Sequence, residues 1–168
     1  MDGQILLWIQ QNLRHPAWDA WVLRLTSLND HGMLAIAACV VMLLLPKVRR
    51  TGATTALSLI LNTLVVNVTL KPIIARVRPY EVVEGLTYLG EAMSDFSFPS
   101  GHSAAAFAVA VVMYLRLPKR WGVPALLLAA AIALSRLYVG VHYPTDVLAG
   151  AAIGALCAFA VCRLIRKK

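Results

Sequence analysis

The chain has 168 residues, of which 60% are hydrophobic and 14% charged, and its mean hydropathy is +0.71. A soluble domain of this length could not hide so much apolar surface in one core, so lipid is the natural solvent for much of it. The net charge of +8 does not point to nucleic acid, because the basic residues stand in short clusters between apolar runs, the footprint of membrane topology.

Residues 1–30, "MDGQILLWIQQNLRHPAWDAWVLRLTSLND", have no basic stretch ahead of a continuous apolar one and do not read as a cleavable signal. They read as an amphipathic segment with Trp8, Trp18 and Trp21 at headgroup depth. A spanning helix over 17–28 would be short and would carry Asp19 and Arg24. Five runs follow that are apolar enough to cross: 31–46, 53–70, 101–116, 122–140 and 146–164. A helix of about 18 residues rises about 27 Å, close to the hydrocarbon thickness. The expected fold is therefore all-α, an integral membrane bundle of five to six transmembrane helices in one domain, 1–168. Cys39, Cys157 and Cys162 lie inside these runs without metal-ligand spacing and read as small hydrophobes. "GAAIG", 150–154, permits close helix packing, of which a homodimer is one use.

The loop charges sort by side. The clusters Lys47/Arg49/Arg50, Arg116/Lys119/Arg120 and Arg163/Arg166/Lys167/Lys168 are separated by two crossings each and so share one face, which positive-inside bias makes cytoplasmic. The opposite face receives 71–100 and 136–145, and these carry Lys71, Arg76, Arg78 and Arg136 against that bias. Three stretches there belong together: "KPIIARVRP" from Lys71, "PSGH" at 99–102, and "SRLYVGVHYPTD" from Ser135 to Asp146. All lie at the same ends of their helices and can converge.

Three fixed cations, two histidines and one carboxylate at an interface suit a dianionic phosphate. Arg78 and Arg136 can grip phosphoryl oxygens with planar forks, and Lys71 adds a point charge. Ser100 and Gly101 stand where a helix begins, so N–H groups and the helix dipole face the anion. Enough cations make a metal unnecessary for phosphoryl transfer. His142 can attack phosphorus with Asp146 fixing its tautomer, and His102 can protonate the leaving oxygen.

These three blocks, Lys-x6-Arg-Pro, Pro-Ser-Gly-His and Ser-Arg-x5-His-x3-Asp, resemble the pattern of the type 2 phosphatidic acid phosphatase superfamily over 71–146, with no departure at a defining position. The resemblance implies the superfamily's membrane branch, with His142 as the nucleophile that becomes a phosphohistidine, Asp146 orienting it and His102 as general acid. It implies that Lys71, Arg78, Ser100, Gly101 and Arg136 hold the phosphate, with no metal and no cofactor. The expected activity is hydrolysis of a membrane lipid phosphate, foremost undecaprenyl diphosphate, with phosphatidic acid or phosphatidylglycerol phosphate as the alternative. Non-catalytic binding or transport of a lipid phosphate would not need two histidines and a carboxylate. The expected setting is a multi-pass protein of the cell membrane whose site faces the periplasm or exterior, with lipid substrate and membrane lipids as partners. Arg76 has no role that follows from its position and reads as an anchor, His15 and His31 read as interfacial, and Asn62 and Asn67 read as helix–helix hydrogen-bonding residues or supports beneath the site.

Overall fold

Proline and small polar residues set the helix boundaries. The structure, a computed structural model, describes residues 1–166, so Lys167 and Lys168 of the terminal basic cluster lie outside the described residues. Nine α-helices are found among the described residues and no strand: α1 (Asp2–Asn12), α2 (Pro16–Ser27), α3 (Met33–Leu44), α4 (Arg49–Thr63), α5 (Lys71–Ile74), α6 (Pro79–Val82), α7 (Gly101–Arg116), α8 (Lys119–Tyr138) and α9 (Pro144–Arg166). Proline opens α2, α6 and α9 at the first helical position, where its missing N–H costs nothing and its φ is already helical. Four stretches are long and apolar enough to cross a membrane, Pro16–Leu44, Pro46–Val82, Lys119–Tyr138 and Pro144–Ile165, and α7 is a shorter apolar helix. The five apolar runs thus correspond to α3, α4 with its extension, α7, α8 and α9.

The amphipathic N-terminal segment forms α1 and α2, both packed against the end of the bundle where α8 stops and α9 starts. Leu6 of α1 is buried with Leu86 and Tyr143. Asp19 of α2 accepts from the Tyr138 hydroxyl at 2.8 Å. Between α2 and α3 the helix breaks in a 3-10 turn, Asp30–Gly32, where His31 (φ 51°) and Gly32 (φ 74°) are left-handed.

The alanine-rich α7 is the central helix, packed against α3, α4, α8 and α9. Its alanines let neighbouring backbones approach, and small side chains replace bulk at the contacts. On α4 the buried face is Thr51, Thr54, Thr55, Ser58 and Asn62, an unusual core for lipid solvent. Thr54 and Thr55 satisfy their hydroxyls on their own helix, bonding Arg50 O and Thr51 O at 2.9 Å, while Ser58 donates across to Ala108 O at 3.0 Å. "GAAIG" is used inside the chain: a Cβ on Gly150 would overlap the Ser100 carbonyl, and one on Gly154 the Ala104 carbonyl.

Beyond α4 the helix widens into a π-helical stretch, Leu64–Leu70, before α5. The wider turn brings Asn62, Asn67 and Lys71 to one cavity, an alignment that an uninterrupted α-helix would not give at spacings of five and four. The cluster Lys47/Arg49/Arg50, the cluster Arg116/Lys119/Arg120 and Arg163 fall at one end of the bundle. The three catalytic-type blocks fall at the other.

Candidate active site

A cavity of about 1010 Å³ opens between the ends of α4, α7 and α8 and the loop that precedes α7. Lys71, Arg78, Gly101, His102, Arg136 and His142 all line it. Six of the eight residues singled out from the sequence therefore share one wall, though they come from five separate segments.

Ser100 and Asp146 stand directly behind that wall, fully buried. Ser100 caps α7: its hydroxyl oxygen accepts from Ser103 N at 3.4 Å and from the Ser103 hydroxyl at 3.0 Å. Its own N–H donates to the Asp146 carbonyl at 3.0 Å, tying the start of α7 to α9. Gly101 does face the cavity, where a Cβ would meet the Asn67 amide oxygen at 3.3 Å and the end of Lys71.

His142 is buried between the two sides. Its Nε2 points to the cavity, 3.5 Å from Arg78 Nη1. Its Nδ1 lies 3.6 Å from Asp146 Oδ2, longer than a hydrogen bond, and 3.5 Å from the Ser97 hydroxyl, which donates to that same carboxylate oxygen at 2.5 Å. Desolvation disfavours the His142 imidazolium. The Asp146 carboxylate opposes that effect, but Arg78 and Arg136 reinforce it, and the pKa falls to about 3. The ring is neutral at ordinary pH, with a lone pair directed at the cavity.

The cations are held rather than free. Arg78 is 1% exposed and donates to Val141 O, to Asp95 O at 2.8 Å and to Asp95 Oδ1 at 2.5 Å. Arg136 donates to the Thr26 hydroxyl at 2.5 Å, and its buried Nε has no hydrogen-bond partner among the described residues. Lys71 pairs with the Asp95 carboxylate. Asp95 thus bridges Lys71 and Arg78, as a bound phosphate could. Burial would raise the Asp95 carboxyl, but the Lys71 hydrogen bond and the charges of Lys71 and Arg78 outweigh it and hold the pKa at about 2.

Several further residues reach the site through contacts that the sequence does not announce. Arg76 donates to Asp146 Oδ1 at 2.6 Å, to the Thr145 hydroxyl at 2.7 Å and to Asp2 at 3.1 Å, and its guanidinium stacks 3.8 Å from the centre of the Tyr143 ring. Asp95 and Ser97 lie shortly before "PSGH" and read there as ordinary loop residues. Asp30 and Thr26 reach the site from the N-terminal segment, whose pattern announced only amphipathicity. Asn62 and Asn67 do line the cavity, with Asn62 Oδ1 buried and without a hydrogen-bond partner among the described residues. His31 also lines it, while His15 caps α2 by accepting from Ala17 N.

Residues 51–168, well over half of the chain, match the family model of the PAP2 superfamily. The chain belongs to the PAP2 superfamily. Within it, the chain is 32% identical over 124 residues to an undecaprenyl-diphosphatase of Sulfolobus acidocaldarius, an overlap of 74% of this chain and 60% of that protein. It spans less than two thirds of the length of the curated relatives it matches. Among solved PAP2-type structures it is similar to Aquifex aeolicus LpxE, with TM-score 0.84 and 27% identity over 95% of this chain and 93% of that one. It is also similar to a transmembrane PAP2 type phosphatidylglycerolphosphate phosphatase of Bacillus subtilis, with TM-score 0.79 and 30% identity over 99% and 85% of the two chains.

Proposed function

We propose that the chain is a lipid phosphate phosphatase that transfers phosphate to His142 and then to water, with undecaprenyl diphosphate as its foremost substrate. One observation carries this reading: Lys71, Arg78 and Arg136 line the same cavity as a neutral His142 with Asp146 behind it and as a second histidine, His102. Cations alone would bind a phosphate; the buried histidine with its carboxylate is what a transfer reaction adds.

In the first step the phosphoryl group sits among Lys71, Arg78, Arg136 and the N-terminus of α7, where its spreading negative charge is neutralised without reorganisation. His142 Nε2 attacks phosphorus while Asp146 stabilises the positive charge that the ring acquires. The bond to the leaving oxygen breaks as His102 delivers a proton to it. In the second step a water, deprotonated by His102, attacks the phosphohistidine and releases inorganic phosphate. For a diphosphate the leaving group is the lipid monophosphate.

The cavity supports a lipid substrate because its lining continues past the polar end onto Ile36, Leu59 and Ala105, apolar residues of α3, α4 and α7. A tail can lie there while the headgroup reaches the cations. The Lys and Arg clusters at the far end support a cell-membrane protein whose site opens to the periplasm or exterior. The names of its relatives support both a prenyl diphosphate and, through the Bacillus subtilis likeness, phosphatidylglycerol phosphate.

The test is release of inorganic phosphate by the detergent-solubilised protein from undecaprenyl diphosphate, phosphatidic acid and phosphatidylglycerol phosphate, each with and without EDTA. The expected result is EDTA-insensitive turnover with the highest kcat/KM on the diphosphate, and inhibition by orthovanadate. Highest kcat/KM on phosphatidylglycerol phosphate would replace the substrate but keep the chemistry. Binding without release from any of the three would overturn the enzyme reading.

A further inference from the structure

Asp30 stands in the turn between α2 and α3, outside all three blocks and outside the residues matched by the family model. Its Oδ1 lies 2.9 Å from His102 Nε2. The turn is tightly held: the Asn29 side chain, 1% exposed, donates to the His102 carbonyl at 3.1 Å and accepts from Ala35 N at 3.3 Å. His31 is held left-handed beside it, a conformation that costs a non-glycine residue on the order of 1–2 kcal/mol. Strain of this kind persists only where surrounding contacts over-determine it.

We propose that Asp30 is the positioning residue of the general acid, acting on His102 as Asp146 acts on His142. An ionised carboxylate can only accept, so Nε2 must carry a proton and Nδ1 is left for the leaving oxygen. The charged neighbours that face His102 are Asp30, Arg136 and Lys71. Asp30 and the incoming phosphate are the negative charges that favour the doubly protonated ring the step requires, with Nδ1 as the proton donor. In the step itself the Nδ1 proton passes to the leaving oxygen as the phosphorus–oxygen bond breaks. The ring ends neutral, with its Nε2 proton still held by Asp30. The inference rests on the acid role given to His102 above.

The test uses leaving-group dependence, which a purely structural role would not move. A short-chain alkyl phosphate has a poor leaving group and needs the acid; p-nitrophenyl phosphate has a good one and hardly does. Asp30→Asn should lower kcat on the alkyl phosphate about 10- to 100-fold, with KM nearly unchanged, and lower it on the aryl phosphate by less than about 3-fold. Asp30→Glu should recover part of the loss, and Asp30→Asn added to His102→Ala should lose nothing more. Equal losses on both substrates, or no loss, with His102→Ala itself leaving-group dependent, would overturn the role of Asp30. A His102→Ala variant without leaving-group dependence would instead remove the acid role, and this proposal with it.

Discussion

Arg76 holds Asp146: its Nη1 donates to Oδ1 of that buried carboxylate at 2.6 Å, while the other oxygen serves Ser97 and Tyr143 N. The contact spans 70 residues, and neither position predicts it. Arg76 is a third exposed, so the pair is worth less than a fully buried one. Arg76→Ala should remove a charge-assisted hydrogen bond of about 1.5–3 kcal/mol, before that discount, and lower kcat about tenfold as Asp146 loses its fixed orientation. Arg76→Lys should recover less than half of the loss, because lysine has no planar fork. Steady-state kinetics with melting curves for both variants checks this.

His142→Ala should abolish turnover, by about a thousandfold or more, and leave the melting temperature within a few degrees. Radiolabelled substrate quenched in the native protein should leave an alkali-stable, acid-labile phosphoenzyme that His142→Ala lacks. The sign of the pH effect follows from the lowered pKa of about 3. The ring loses its lone pair only as pH falls through that value, so kcat/KM for phosphoenzyme formation, measured below saturation, should show no acid limb near pH 6.5 assignable to His142. Rapid-quench measurement between pH 5 and 8 checks this.

Asp95 pairs with both Lys71 and Arg78, so it should compete with any phosphate that these two cations bind. Asp95→Asn should tighten inhibition by orthovanadate by about 3- to 10-fold, because one unit charge that competes for both cations is gone. Inhibition constants for the two proteins at one ionic strength measure it.

Gly150→Ala should be felt at the site although it lies on the far side of the Ser100 turn. The new methyl would overlap the Ser100 carbonyl, and overpacking of this kind costs about 1–3 kcal/mol. The start of α7 should shift with it, so thermal stability and kcat should fall together. An alanine elsewhere on the lipid-facing side of α9, such as Leu156→Ala, should change neither by a comparable amount.

Orientation is checked by thiol labelling in intact cells, in a background lacking Cys39, Cys157 and Cys162. Glu84→Cys, in the connection between α6 and α7, should react with a membrane-impermeant reagent from outside, and Arg120→Cys only after permeabilisation. The reverse pattern would place the site in the cytoplasm.

Much of this protein could be read from sequence because its determinants are local or periodic. Apolar runs of spanning length dictate helices in lipid, since every backbone polar group must be satisfied within its own segment. Loop cations mark one end of the bundle, and three blocks with fixed internal spacing place Lys71, Arg78, His102, Arg136, His142 and Asp146 at the other. Tertiary structure alone decided what these residues touch. The π-helical widening at Leu64–Leu70, the break at His31–Gly32 and the pairings of Arg76 with Asp146, Asp95 with Lys71 and Asp30 with His102 depend on packing between segments tens of residues apart. A single charge in a loop has the same local signature whether it meets water or a buried partner. Only the folded chain distinguishes the two.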